Sequence, residues 1–214
     1  MPAAASIARE AVPDTREFRD ALGRFATGVA LVTAAPEDEP TGLIVNSLTS
    51  VSVEPPLILF CPSRSSVTWS RMRRAGRFAV NVLGRDLEAF VARAAAPGSD
   101  RFAGVTWTPG RGGAPLLADA LASLECEIVG EHPGGDHWIV VGRVDDLHVS
   151  PARDPLIFFE GGFHGLQSQL GTDHNPKVTG WSPVSGLTGA GTRTSVVRQP
   201  HGDAAGSLGP SCRA

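Results

Sequence analysis

Two apolar runs separated by a proline pair constrain this chain more than any other feature. Residues 42–56 read GLIVNSLTSVSVEPP, and Leu57-Ile58-Leu59-Phe60-Cys61 follows at once. A crossover between parallel strands needs a dozen or so residues. Pro55-Pro56 leaves no room for one, so the two runs favour antiparallel pairing. The first run carries Asn46, Ser47, Thr49, Ser50 and Ser52, where a strand that only filled a core would carry Val or Ile. An unpaired buried polar group costs about 1–3 kcal/mol. This strand therefore faces either water or a polar ligand, and Ser and Thr on a solvated sheet face are common.

The remaining pattern repeats the theme. Apolar residues Phe18, Leu22 and Phe25 recur at helical spacing after Thr15, which is placed to cap a helix. Residues 28–33 read as a strand, 36–40 as a charged turn, 42–53 as a second strand and 57–61 as a third. Ser66 opens a helix that runs to about Ala75, with Trp69 and Met72 on one face and Gly76 as its stop. A strand over 77–83 and a helix over 86–95, capped by Asp86, come next. The Gly- and Pro-rich stretch 97–116 reads as loop. Strands then follow at 121–129, 137–144 (extending toward 149) and 156–159, with a turn at 131–136. Six or seven strands joined by turns, with two or three helices, make a mainly β domain. A barrel or a sandwich fits this order better than a doubly wound sheet. Residues 1–14 read as a flexible arm, 15–166 as the domain, and 167–214, where apolar periodicity ends, as a disordered tail.

Composition narrows the partners. The chain has 214 residues, enough for one core, and a net charge of -3 with no evident basic face, so nucleic acid is not expected. Three cysteines, Cys61, Cys126 and Cys212, stand far apart without a CxxC pair. That supports neither a thiolate zinc site nor a disulfide framework, and it suits a reducing, cytoplasmic compartment. No run approaches the roughly 18 apolar residues of a membrane helix, and the N-terminus lacks the apolar core of a signal peptide.

Chemistry concentrates in two places. Cys61-Pro62-Ser63-Arg64-Ser65-Ser66 offers hydroxyls, one guanidinium and a helix start, a set that suits a phosphate. By itself the same segment is also what an ordinary helix cap with a solvated arginine looks like. Beside the Ser/Thr/Asn strand, it would place two donor-rich segments at one end of one sheet. Gly134-Gly135-Asp136-His137 reads as a hairpin turn that delivers His137 to the mouth of the next strand. His132, His148 and His164 show no metal-ligand spacing with it, and no nucleophile elbow or P-loop is present.

The order of these segments resembles the flavin reductase-like family, NAD(P)H:flavin oxidoreductases that serve two-component monooxygenases. The resemblance is carried by Phe25-Ala26-Thr27-Gly28-Val29, by Asn46 to Ser52 with Pro55-Pro56-Leu57, and by Phe78 to Leu83. Arg101-Phe102, Glu125-Cys126, Gly135-Asp136-His137, Gly142-Arg143-Val144 and Pro155-Leu156 complete it, over about Phe18 to Leu166. It implies an antiparallel Greek-key split β-barrel with a few flanking helices, a homodimer, and FMN or FAD in a groove with NADH or NADPH as hydride donor. It further implies that Val45, Asn46, Ser47, Leu48, Thr49, Ser50, Val51 and Ser52 line the isoalloxazine. Cys61, Ser63, Arg64, Ser65 and Ser66 would hold the ribityl phosphate, His137 would position the nicotinamide, and Phe163 would shield the ring. Val45 departs from the family pattern, where a hydroxyl or small residue is frequent.

The expected function is NAD(P)H-dependent reduction of flavin for an oxygenase component. The alternatives are a flavin-binding carrier or redox-responsive module without significant NAD(P)H oxidation, and a β-barrel interaction domain without flavin. Hydride transfer between two cofactors needs no acid of tuned pKa, which accounts for the lack of a catalytic dyad.

Overall fold

The computed structural model describes residues 14–96, 100–151 and 153–166. The expected arm up to residue 13 and the expected tail from residue 167 lie outside the described residues. In chain order the elements are α1 (Thr15–Gly23), β1 (Thr27–Gly28), β2 (Ala30–Ala34), β3 (Thr41–Val45), β4 (Thr49–Ser52) and β5 (Leu57–Phe60). Then come α2 (Val67–Met72), β6 (Arg77–Val82), α3 (Glu88–Ala94), β7 (Trp107–Pro109), β8 (Pro115–Leu117), β9 (Ala122–Gly134) and β10 (His137–Val149). The last pair is β11 (Ile157–Phe159) and β12 (Gly162–His164).

Seven strands form one antiparallel sheet in the order β3-β2-β6-β9-β10-β5-β4. Its edge strands, β3 and β4, are consecutive in sequence. Only Asn46, Ser47 and Leu48 join them. Four residue steps reach about 14 Å at full extension. A flat sheet of seven strands would hold its edges about 29 Å apart. The sheet therefore curls until its edges approach, without hydrogen bonding to one another, and the mainly β, antiparallel, split-barrel expectation is met. A small sheet, β1-β11-β12, and the hairpin β7–β8 flank it.

The curled sheet is buried on both faces, on its inside by the curl and on its outside by α3 and flanking segments. Along β2, Ala30, Val32 and Ala34 join one cluster with Phe60, Trp69, Met72, Phe78, Val80, Cys126 and Val140. Leu31 points the other way, into a second cluster with Leu83, Phe90, Val91 and Leu156. This is the two-residue period of a strand buried on both sides. Phe60 anchors the first cluster through edge contacts to Trp69 at 5.2 Å and Phe78 at 5.3 Å. The helix face read from Trp69 and Met72 is buried as expected, and Gly76 at φ 66° ends that segment after one 3-10 turn.

Several local expectations are corrected. The strand read over 42–53 is broken at 46–48, because its halves serve opposite edges. The strand read over 28–33 breaks at Val29, since Thr27 and Gly28 pair with β11 while Ala30 onward pairs with β3 and β6. Asp14, not Thr15, caps α1: its carboxylate accepts from the Arg16 and Glu17 amides, and Glu17 closes the capping box. Phe18, Leu22 and Phe25 do not pack into a core but remain 54%, 58% and 74% exposed. Asp86 does not cap α3. It pairs with Arg153 at 2.7 Å. The stretch read as loop over 97–116 contains β7 and the start of β8, and the turn read at 131–136 is shorter because β9 runs to Gly134.

The β7–β8 hairpin is held to the main sheet by buried polar groups. Asn81 Nδ2 donates to the Pro115 carbonyl at 3.1 Å, while its Oδ1 accepts from the Leu117 amide at 2.8 Å and from Ser123 Oγ at 3.1 Å. Thr33 Oγ1 donates to the same Pro115 carbonyl at 2.7 Å. Replacing one member orphans the others in a dry site. Asn81→Leu is expected to lower the unfolding free energy by about 2–3 kcal/mol, and Ser123→Ala by about 1 kcal/mol, because Asn81 Oδ1 then keeps its amide donor. Urea denaturation of the two variants checks the ordering.

Candidate functional site

The three-residue link between the sheet edges begins the site. Val45 turns inward and is buried in the first cluster, so only its backbone faces outward chemistry. Asn46 is exposed, and Ser47 is half-buried. Ser47 Oγ accepts the Cys61 amide at 2.9 Å, which ties the link to the loop leaving β5. Leu48 packs against the first cluster. Along β4, Thr49, Ser50 and Val51 are exposed and Ser52 is half-buried. This strand pairs with β5 through Thr49–Leu59, Ser50–Ile58 and Ser52–Leu57, and Val51 is the residue bulged out of register.

The loop after β5 is clamped by the tip of the β9–β10 hairpin. Ser63 bridges to His137, the Arg64 amide donates to the Asp136 carbonyl at 2.9 Å, and the Trp138 amide donates to the Pro62 carbonyl at 2.9 Å. The tip itself is a two-residue turn in which Gly135 takes φ 69°, a conformation glycine adopts without cost. Arg64 Nη1 donates to the Gly135 carbonyl at 3.3 Å, and its guanidinium lies 5.1 Å from the Trp138 ring centre. Ser63 and Ser65 hydroxyls meet at 2.8 Å. Ser66 Oγ accepts the Trp69 amide at 3.1 Å and so caps α2. This helix has six residues, too short to count as an anion site by itself, and Ser66 takes up its Trp69 amide, so the charged donor for an anion here is Arg64, with hydroxyls beside it.

His137 Nδ1 lies 2.8 Å from Asp136 Oδ1. That hydrogen bond, with the charge of His137, holds the Asp136 carboxyl below its usual range. Cys61 is half-buried and its thiol is pushed up by desolvation. Cys126 packs in the first cluster as a small hydrophobe, where burial first and then the Asp145 charge push its thiol up to about 12. Neither thiol is set up as a nucleophile.

Of the expected site residues, Arg64, Ser65 and Ser66 line one cleft and Asn46 and Ser47 another, while Val45, Leu48, Thr49, Ser50, Val51, Ser52, Cys61, Ser63, His137 and Phe163 line neither. One, of about 420 Å³, is lined by Arg64, Ser65, Ser66, Ser70, Arg71 and Arg74. The other, of about 780 Å³, lies between α1 and the β11–β12 tip, and Asn46, Ser47, Thr27, Phe158 and Phe25 are among the residues around it. The Ser47–Cys61 hydrogen bond ties a residue of the larger cleft to the start of the loop that carries Arg64. Phe163 sits on β12, where its ring meets Phe158 at 5.8 Å, in the second cluster and away from the His137 turn in the pairing order.

Two residues escaped the reading of individual groups. Thr27 Oγ1 is shielded from solvent and has no hydrogen-bond partner among the described residues, and it borders the larger cleft. A hydroxyl placed between a helix and a strand in Phe25-Ala26-Thr27-Gly28 was the available signal. Trp138 stood beside His137 but read only as strand.

Under native conditions iodoacetamide is expected to label Cys61 slowly and to spare Cys126 until urea unfolds the chain. Peptide mapping by mass spectrometry reads this out, and equal native labelling would contradict the described packing.

Residues 22–167 match the family described as Flavin reductase like domain. The chain is 40% identical over 162 residues to the flavin-dependent monooxygenase reductase subunit HsaB of Rhodococcus jostii, covering 76% of this chain and 83% of that protein. It is 39% identical over 164 residues to a flavin reductase of Pseudomonas putida, covering 76% and 96%. Among solved structures, nitrilotriacetate monooxygenase component B from Mycobacterium thermoresistibile superposes with a TM-score of 0.70 at 36% identity, covering 77% of this chain and 93% of that one. The Streptomyces globisporus NADH:FAD oxidoreductase SgcE6, solved with NAD and FAD fragments, superposes with a TM-score of 0.68 at 40% identity, covering 74% and 96%.

Proposed function

The chain belongs to the flavin reductase-like family, and we propose that it uses NADH to reduce flavin for the oxygenase component of a two-component monooxygenase. When bound, the nicotinamide would supply a hydride and the flavin would accept it, to be passed on as reduced flavin to the oxygenase. Everything else asked of the protein is binding, orientation and charge.

The observation that most supports this reading is the set of donors around the larger cleft, among them a hydroxyl with no partner among the described residues. Thr27, Asn46 and Ser47 border the larger cleft, and Thr27 Oγ1 still lacks a partner. A buried hydroxyl without a partner costs about 1–3 kcal/mol. A ligand with carbonyl or ring-nitrogen acceptors removes that cost. Phe25 and Phe158 supply apolar faces for a planar ring beside it. From Ser47 the path continues through Cys61 to Ser63, Arg64, Ser65 and Ser66, where an anionic side arm meets a guanidinium and hydroxyls. The residues fit a flavin phosphate.

In this reading the Val45–Ser52 backbone and side chains border the ring, with Leu48 and Val51 contributing shape and Thr49, Ser50 and Ser52 hydroxyls. Cys61 contributes its backbone. His137, fixed by Asp136 and by its bridge to Ser63, is a positioning group for the nicotinamide and not a proton donor. Phe163 supports the ring pocket through Phe158. Either FMN or FAD can present the phosphate, and NADPH could replace NADH at the same face.

We also read the chain as a homodimer. Phe18 and Leu22 on α1, Phe25 just after it, and Val129, Leu147 and Val149 on β9 and β10 leave apolar surface in water that a second copy would cover. No helix among the described residues is long and apolar enough to cross a membrane. A cytoplasmic setting, in which Cys61 and Cys126 stay reduced, fits the free thiols.

Anaerobic stopped-flow mixing of protein, FMN and NADH tests the activity: rapid bleaching of the flavin band supports it, and a stable band supports a carrier. Arg64→Ala is expected to weaken FMN binding by about tenfold to a hundredfold, the loss of a charge-assisted hydrogen bond. His137→Ala is expected mainly to raise the apparent KM for NADH with little change in kcat. Wild-type steady-state behaviour in both variants would overturn these residue roles.

A further inference from the structure

Four arginines crowd the loop and helix after β5, and three of them are spent on carboxylates. Arg71 pairs with Glu39 at 2.7 Å, Arg73 with Glu131 at 2.6 Å and Arg74 with Glu37 at 3.4 Å. Arg64 has no carboxylate partner among the described residues. Its guanidinium is held instead by the Gly135 carbonyl and by the face of Trp138. A carboxylate would fix an arginine but neutralise it. A carbonyl and an aromatic face fix it with its charge unspent.

Trp138 is itself braced. Its amide donates to the Pro62 carbonyl, and its ring packs against the first cluster. A second guanidinium, that of Arg73, lies 5.2 Å from its ring centre. Arg73 is tied down by Glu131, which also accepts the indole N–H of buried Trp69 at 3.1 Å. A chain of contacts therefore runs from the core, through Trp69, Glu131 and Arg73, to Trp138 and on to the exposed Arg64. Holding a long side chain in its binding geometry in advance removes an ordering cost from the binding step.

We propose that Trp138 is a positioning residue that sets how strongly this protein distinguishes a phosphorylated flavin from one without phosphate. The proposal rests on the reading of Arg64 as the ligand of the flavin phosphate. Trp138 touches no reacting atom. It acts through Arg64.

The test is a fluorescence-quenching titration of the full chain with FMN and with riboflavin, without nicotinamide. Trp138→Leu is expected to weaken FMN binding about three- to fivefold, the range of an exposed cation–π contact, and to leave riboflavin binding within about twofold. In an Arg64→Gln background the same Trp138 change is expected to have no further effect on FMN. If Arg64→Gln weakens FMN while Trp138→Leu does not, the inference fails and the reading of Arg64 survives. If Arg64→Gln leaves FMN unaffected, both fall together. Equal weakening of FMN and riboflavin, or a Trp138 effect that persists without Arg64, would make Trp138 merely structural and overturn the proposal. Should Trp138→Leu not fold, Trp138→Phe decides. Its smaller face is expected to reduce the preference for FMN over riboflavin about twofold, and an unchanged preference overturns the proposal.

Discussion

Three residues hold the two edges of a seven-stranded sheet within reach of each other. The link 46–48 is too short to span a flat sheet, so the sheet must curl. Everything at the site depends on that geometric constraint. Curling makes the inner face of β2, β6, β9 and β10 into an enclosed core. It also leaves a seam between β3 and β4, edge strands that do not hydrogen-bond to one another. A sheet with a seam has a ready place for a flat ligand; a closed barrel of the same strands would not.

The seam is useful only because a second element is pinned beside it. The β9–β10 hairpin is 13 residues on each side, and its tip reaches the loop after β5. There the Asp136 and Gly135 carbonyls receive the Arg64 backbone and side chain. The Ser47–Cys61 hydrogen bond ties the same loop to the link. Two hydrogen-bonded junctions thus join three segments far apart in sequence. Under the proposed function those junctions would hold an apolar slot and a cation at a fixed separation, as a tricyclic ring with an anionic arm requires.

Much of this was legible from residue types. Pro55-Pro56 signalled the antiparallel return, and Trp69 and Met72 marked the buried face of α2. What was not legible has physical causes. A strand that changes sheet edge at 46–48 keeps a continuous β pattern, because each half satisfies the same two-residue period. Asp14 outcompeted Thr15 as cap because Glu17 sits three residues after it and completes the reciprocal pair. The apolar stripe of α1 looked like core and is exposed, since periodicity says which residues share a face but not what covers it. The orphan hydroxyl of Thr27 and the stacking of Arg64 on Trp138 are products of tertiary proximity, which no local pattern encodes.

The most direct measurement of the central claim is hydrogen–deuterium exchange with and without FMN. If the seam and the clamped loop form one ligand site, FMN slows exchange together in peptides covering 42–52 and 57–70, with a smaller effect at the 134–138 tip. Protection absent from both segments, or confined to one of them, would contradict the account.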